Sequence, residues 1–205
     1  MSPPPSTETS APAVDHWDPC LLPLAAAGDP GAQRQVFERW ARPVLRWCAR
    51  LGGPRVDPEE AAQDIWITVF RRLHTLREPR AFETWLFGTT RRVLAAHRRR
   101  VWWQRWVGGA SWERADSRRQ PDEVVASGQT AALVRRILDD LPIAQREVLV
   151  LCFIEERSAT EAARLLGLPV GTVKSRLRLG RQRFSHRARQ LGLAPDPPRL
   201  VGNRQ

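Results

Sequence analysis

The chain has too few cysteines, too widely spaced, for a disulfide framework or a zinc site: Cys20, Cys48 and Cys152 are odd in number and lie far apart. This argues against stapled folds and fits a reducing compartment, so a cytoplasmic location is expected. No apolar run reaches the roughly 18 residues of a membrane span, so no membrane insertion is expected. The stretch MSPPPSTETSAPA lacks an apolar signal core and reads as a disordered leader over 1–19. Histidine is sparse as well. His16, His74, His97 and His186 are scattered, with no Ser, Cys or Asp at a recognisable catalytic spacing. No group of Asp, Glu or His suits a metal, so neither a catalytic residue nor a cofactor is expected, and a nucleic-acid-processing enzyme is disfavoured.

What is abundant is positive charge. Lysine and arginine number 33 against 22 acidic residues, for a formal charge of +11 and a pI near 11.4. Such an excess favours a polyanionic partner, because neutralised phosphates release condensed counterions. Charge alone leaves open an anionic membrane surface, a ribosomal setting or the arginine usage of a GC-rich genome. With 205 residues, 42% of them hydrophobic, the chain can bury one core or two small ones.

The periodicity predicts an all-α protein: two small helical domains, 20–100 and 131–192, joined by a flexible linker over 101–130 and followed by a disordered tail over 193–205. A first helix spans about Ala32 to Arg50, with Val36, Phe37, Trp40, Val44, Leu45 and Cys48 on one face, a kink at Pro43 and an end at Gly52-Gly53. Asp57-Pro58-Glu59-Glu60 then supplies an Asp cap, Pro at the first helical position and Glu60 for a capping box. Ala62, Ile65, Trp66, Val69, Phe70 and Leu73 form the apolar stripe that follows. A third helix begins after Pro79, with Phe82, Trp85, Leu86, Thr89, Val93 and Ala96 buried and Arg91, Arg92, Arg98 and Arg99 opposite. In the linker, Trp102, Trp103, Trp106 and Trp112 suggest docking on a surface, such as the chain's own. Periodicity returns over Ala131 to Asp140 and Ala144 to Ile154.

The sharpest local signal runs from Ser158 to Leu177 and predicts a helix-turn-helix. Ser158 and Glu161 make a capping box, Ala163 permits close crossing and Gly167 can take the left-handed turn. Val173 and Leu177 pin the second helix, leaving Thr172, Lys174, Ser175, Arg176 and Arg178 outward, where they can reach base edges and phosphates. An ordinary helical hairpin with a solvated basic face is the simpler alternative.

The stretch Leu141-Pro142-Ile-Ala-Gln-Arg146-Glu147-Val148-Leu149, with Gly171-Thr172-Val173-Lys174-Ser175-Arg176-Leu177, resembles the C-terminal domain of extracytoplasmic-function sigma factors, the sigma-70-type subunits of bacterial RNA polymerase. Independently, Asp57-Pro-Glu-Glu60-Ala-Ala-Gln63-Asp64-Ile-Trp66 resembles that family's polymerase-binding segment. Phe82-Glu-Thr-Trp85-Leu86-Phe87 with its following arginines is similar to the family's −10 recognition and melting segment. The resemblance implies core RNA polymerase and promoter DNA as partners, and an anti-sigma factor that occludes both domains. It implies polymerase contacts at Glu60, Gln63, Asp64 and Ile67, with Ile67 also meeting the anti-sigma factor. Arg91, Arg92, Arg98, Arg99 and Arg100 would hold −10 phosphates beside a base-capturing loop near Leu76 to Arg80. Thr172, Lys174, Ser175, Arg176 and Arg178 would read the −35 element. Two departures stand out: the family commonly has Arg-Asn at Arg91-Arg92, and an aromatic-Arg-Ile-Ala phrase at Phe87-Gly88-Thr89-Thr90. The alternative from the residues alone is a conventional helix-turn-helix regulator with an N-terminal sensor or dimerisation domain.

Overall fold

The computed structural model of the chain describes residues 18, 20–108 and 128–192. The expected leader falls mostly outside them, as do the expected tail and 109–127 of the expected linker. Among the described residues there are eight α-helices and no strand: α1 (Leu21–Ala26), α2 (Pro30–Leu51), α3 (Pro58–Arg72), α4 (Phe82–Gly108), α5 (Gly128–Asp139), α6 (Ile143–Leu149), α7 (Ala159–Leu166) and α8 (Val170–Gln190). Helices α1–α4 make the N-terminal domain and α5–α8 the C-terminal domain.

Asp29 starts α2 by accepting a hydrogen bond from the Ala32 amide at 2.6 Å, with Pro30 in the first helical turn. Asp57 does the same for α3, accepting from the Glu59 and Glu60 amides at 2.8 and 2.9 Å. The expected capping box at Glu60 is not formed there, because the Glu60 carboxylate faces Arg100 of α4 instead. At the end of α2 the chain turns through Gly53, whose φ of +93° strains any side-chain-bearing residue.

Aromatic rings fill the N-terminal core. Trp47 meets Phe87 edge to face at 5.0 Å, and Trp40 meets Phe82 likewise at 5.7 Å. Sequence periodicity misses Trp47 because α2 packs against α1, α3 and α4, which buries more than one stripe. For α4 the stripe is displaced: Phe82, Leu86 and Thr89 are buried as expected, but Ala96 is exposed, while Phe87, Thr90 and Leu94 are fully enclosed. The reason is position, since α4 touches α2 and α3 on one side and α7 of the other domain on another. Helix α4 also runs on to Gly108, past the expected linker start at 101.

In the C-terminal domain α6 passes through a π-helical turn at Val150–Ile154 before α7. Helix α8 crosses α6 at Gly180, where an added Cβ would lie 3.2 Å from the Leu149 Cδ1. Arg146 is buried in this domain, with Nη1 donating to Asp139 Oδ1 at 3.0 Å and Nη2 to the Asp139 carbonyl at 2.7 Å, while its Nε is buried without a partner. Burial raises the Asp139 pKa, Arg146 opposes that rise, and burial lowers the pKa of Arg146 itself.

Candidate nucleic-acid interface

Helices α7 and α8 form the expected helix-turn-helix, and the local chemistry accounts for its shape. The Ser158 hydroxyl accepts from the Glu161 amide at 3.2 Å, and the Glu161 carboxylate accepts from the Ser158 amide at 2.9 Å, completing a capping box. Gly167 closes α7 with φ +64°, and the Leu168 amide reaches back to the Ala163 carbonyl at 3.0 Å. Val173 is completely buried, fixing the rotation of α8. That rotation leaves Lys174, Ser175 and Arg178 exposed and Thr172 and Arg176 half-buried at the edge of the same face.

The back half of α8 is tied down. Arg187 donates to Asp140 Oδ2 at 2.8 Å and Arg183 to Gln145 Oε1 at 3.2 Å. The front half is not: among the described residues no acidic group pairs with Lys174, Arg176 or Arg178. The Ser175 hydroxyl donates to the Thr172 carbonyl at 2.9 Å. Three cations on the front half of an anchored helix can contact base edges and phosphates without breaking an ion pair.

Most of the arginines expected at the −10 element have partners within the protein. Arg91 donates from Nε and Nη2 to the two carboxylate oxygens of Glu147, at 2.7 and 3.0 Å. Arg92 donates to the Thr89 hydroxyl at 3.0 Å. Arg98 donates to the Leu51 carbonyl at 2.8 Å, and burial lowers its pKa. Arg100 lies 3.4 Å from Glu60, and Arg99 is exposed. Between the two short 3₁₀ turns before α4, Arg77 and Glu78 are exposed and Leu76 is half-buried.

The residues expected to meet polymerase gather on one exposed face of α3. Glu60, Gln63 and Asp64 are exposed, and Ile67 is 61% exposed, unusual for so apolar a side chain. Two of them are bound to α4, Glu60 through Arg100 and Asp64 through His97 Nε2 at 2.9 Å. The expected acidic patch and −10 arginines thus abut one another. Sequence reading misses Glu83, Glu147 and Glu155, acids that pair with arginines of the other domain; the Arg146-Glu147 pair inside an apolar helix was the one available signal. Trp102, Trp103 and Trp106 lie on the last turns of α4 against one another, with Trp106 73% exposed, rather than docked on the chain's own described surface. Trp112 falls outside the described residues.

A capped helix-turn-helix with an open basic face, carried beside a second helical domain with a basic helix of its own, defines a two-module DNA-binding protein. Residues 36–104 match the sigma-70 region 2 family and residues 131–184 the sigma-70 region 4 family. The ECF RNA polymerase sigma factor RpoE of Cereibacter sphaeroides is 31% identical over 179 residues, covering 82% of this chain and 92% of the relative. SigE of Mycolicibacterium smegmatis, another ECF sigma factor, is 32% identical over 164 residues, covering 78% of this chain; the match spans 63% of that relative's length. Among solved structures, CnrH in complex with the cytosolic domain of CnrY superposes with a TM-score of 0.61 at 26% identity, covering 82% of this chain and 95% of CnrH. The chain belongs to the ECF sigma factors of RNA polymerase. No helix among the described residues is long and apolar enough to cross a membrane.

Proposed function

We propose that this sigma factor, acting in the cytoplasm and without catalytic chemistry of its own, binds core RNA polymerase through the α3 face of Glu60, Gln63, Asp64 and Ile67. It then reads the −35 element with Thr172, Lys174, Ser175, Arg176 and Arg178, and holds the −10 region with Arg91, Arg92, Arg98, Arg99 and Arg100. The observation that carries this reading is the front half of α8, whose cations are exposed or half-buried and unpaired among the described residues, on a helix anchored at Val173 and Gly180. Cations held there gain phosphate contacts at little reorganisation cost. The exposed Ile67 supports α3 as a protein-binding face, since an isolated apolar side chain among acids suits a partner better than water.

A regulatory partner follows from the same surfaces. CnrH, whose structure this chain resembles, is bound by the cytosolic domain of CnrY. An anti-sigma factor would here cover α3 and the seam between the domains.

The deciding experiment is run-off transcription with core polymerase over a promoter library. The expected result is initiation confined to promoters sharing −35 and −10 elements. Tight promoter binding by the free chain, with no polymerase complex, would favour a conventional helix-turn-helix regulator instead.

A further inference from the structure

Four arginines and one glutamate line a single cleft where the N-terminal domain meets α7. Arg39 of α2 and Arg80, just before α4, come from one domain; Arg157, just before α7, and Arg164 within it come from the other. The Arg39 guanidinium lies 5.8 Å from the centroid of the Trp40 ring, and Trp40 meets the buried Phe82 edge to face. Glu83 accepts hydrogen bonds from Nη2 of Arg157 and, at 3.3 Å, from Nη2 of Arg164, so one carboxylate orients two cations. Arg157 also lies 3.9 Å from Glu161. The Nε and Nη1 groups of both arginines have no hydrogen-bond acceptor among the described residues, nor has the exposed Arg80.

We propose that this cleft binds a small polyphosphate anion, either free or as the phosphate chain of a nucleotide. Its volume of about 370 Å³ falls in the range of roughly 300–1,000 Å³ usual for small-ligand sites, which collect at seams between domains. Positive charge gathered in a concavity with apolar rings in its wall focuses the field on an anion. Planar guanidinium forks match phosphate oxygens in geometry as well as in charge. Because the arginines come from two domains, an anion with charge spread along its length suits them better than a single phosphate. The site is preformed: one apolar core runs from Phe82 and Leu86 of α4 to Ala162, Leu165 and Leu166 of α7 and fixes both walls. Arg39, Arg157 and Arg164 belong to neither the promoter faces nor the polymerase face, and only Arg80 borders the loop expected to capture a base. A cleft of this volume admits a small molecule and excludes a duplex.

The test titrates the full chain, without polymerase, with tripolyphosphate and with ATP by isothermal calorimetry. Both should bind. Tighter binding of ATP assigns the site to a nucleotide whose base uses the Trp40 ring, and equal binding assigns it to free polyphosphate. The Arg80→Ala/Arg164→Ala double variant should bind either anion about tenfold or more weakly, because two charged donors are lost. Glu83→Gln should bind about two- to fivefold more tightly, since the only acid lining the cleft is neutralised. Absence of binding at millimolar anion overturns the site, as does a folded double variant that binds like the wild type. Sulfate binding as tightly as tripolyphosphate also overturns it, because surface charge then suffices. Binding of duplex DNA alone, with neither small anion bound, places these arginines on the promoter surface and overturns it too. Should the double variant lose helicity, Arg80→Ala alone, at an exposed position, decides by the same criterion.

Discussion

Helices α4 and α8 each present a row of basic side chains, and the fold holds the two rows in opposite ways. On α8 the front cations are unpaired among the described residues, while the rear arginines bind Asp140 and Gln145 and anchor the helix. On α4, four of the five arginines whose side chains are described have a protein acceptor: a carboxylate for Arg91 and Arg100, a hydroxyl for Arg92 and a carbonyl for Arg98. A free cation meets a phosphate at the cost of its hydration alone. A paired one must also give up its partner, which makes its DNA contact conditional on a change of structure. The difference teaches that a basic helical face is a binding site only where the rest of the fold leaves it unoccupied.

The most direct way to break the comparison is to remove the support of α4. Phe87 is fully buried against Trp47, so Phe87→Ala should cost about 3–5 kcal/mol in urea or thermal unfolding of the N-terminal domain. Binding of −35 DNA by α8 should survive that change. Next in size, Lys174→Ala with Arg176→Ala should weaken promoter binding by about 1–3 kcal/mol per base-reading contact and lower the salt slope of binding, measured by fluorescence anisotropy. Arg91→Ala should show a smaller loss, because removing it also releases the contact to Glu147.

The capping box tests whether the orientation of α8 depends on α7. Ser158→Ala should cost about 1 kcal/mol of stability. Hydrogen bonds from the Ser158 hydroxyl and then its amide hold the Glu161 pKa below its ordinary value of 4.5. A carboxyl depressed in the folded state contributes stability that is present above its unfolded pKa and lost as pH falls through the folded one. The variant should therefore lose stability at neutral pH and show a flatter acid limb below about pH 4.5, read by thermal melts across pH. The smallest effect is expected at Gly88, inside α4, where an added Cβ meets nothing within 4 Å. Gly88→Ala should stabilise the N-terminal domain by about 0.5–1 kcal/mol. If it does so without altering promoter choice, the departure at this position is neutral for recognition.

Much of the molecule was legible in residue order, where the physics is local. An Asp before a Pro starts a helix by accepting from the amides two or three residues on, a Ser three residues before a Glu makes a capping box, and a Gly after Leu166 ends one by taking positive φ. These short-range rules placed α3, α7 and the turn before α8, and with them the reading face of Lys174, Ser175 and Arg178. The Phe87, Thr90 and Leu94 side of α4 was not legible, because a helix packed on several sides has no single stripe for periodicity to find.

By itself, the sequence determined an all-α chain with a helix-turn-helix at its C-terminal end and a surplus of cations, since capping, periodicity and charge act over a few residues. Only the tertiary structure decided which cations stay available. Arg91 and Glu147 are separated by 55 intervening residues and meet because α4 and α6 pack across the domain seam, and the same packing leaves Lys174 and Arg178 in water. No spacing rule reaches that far, because the pairing depends on where two domains come to rest rather than on the turn of one helix.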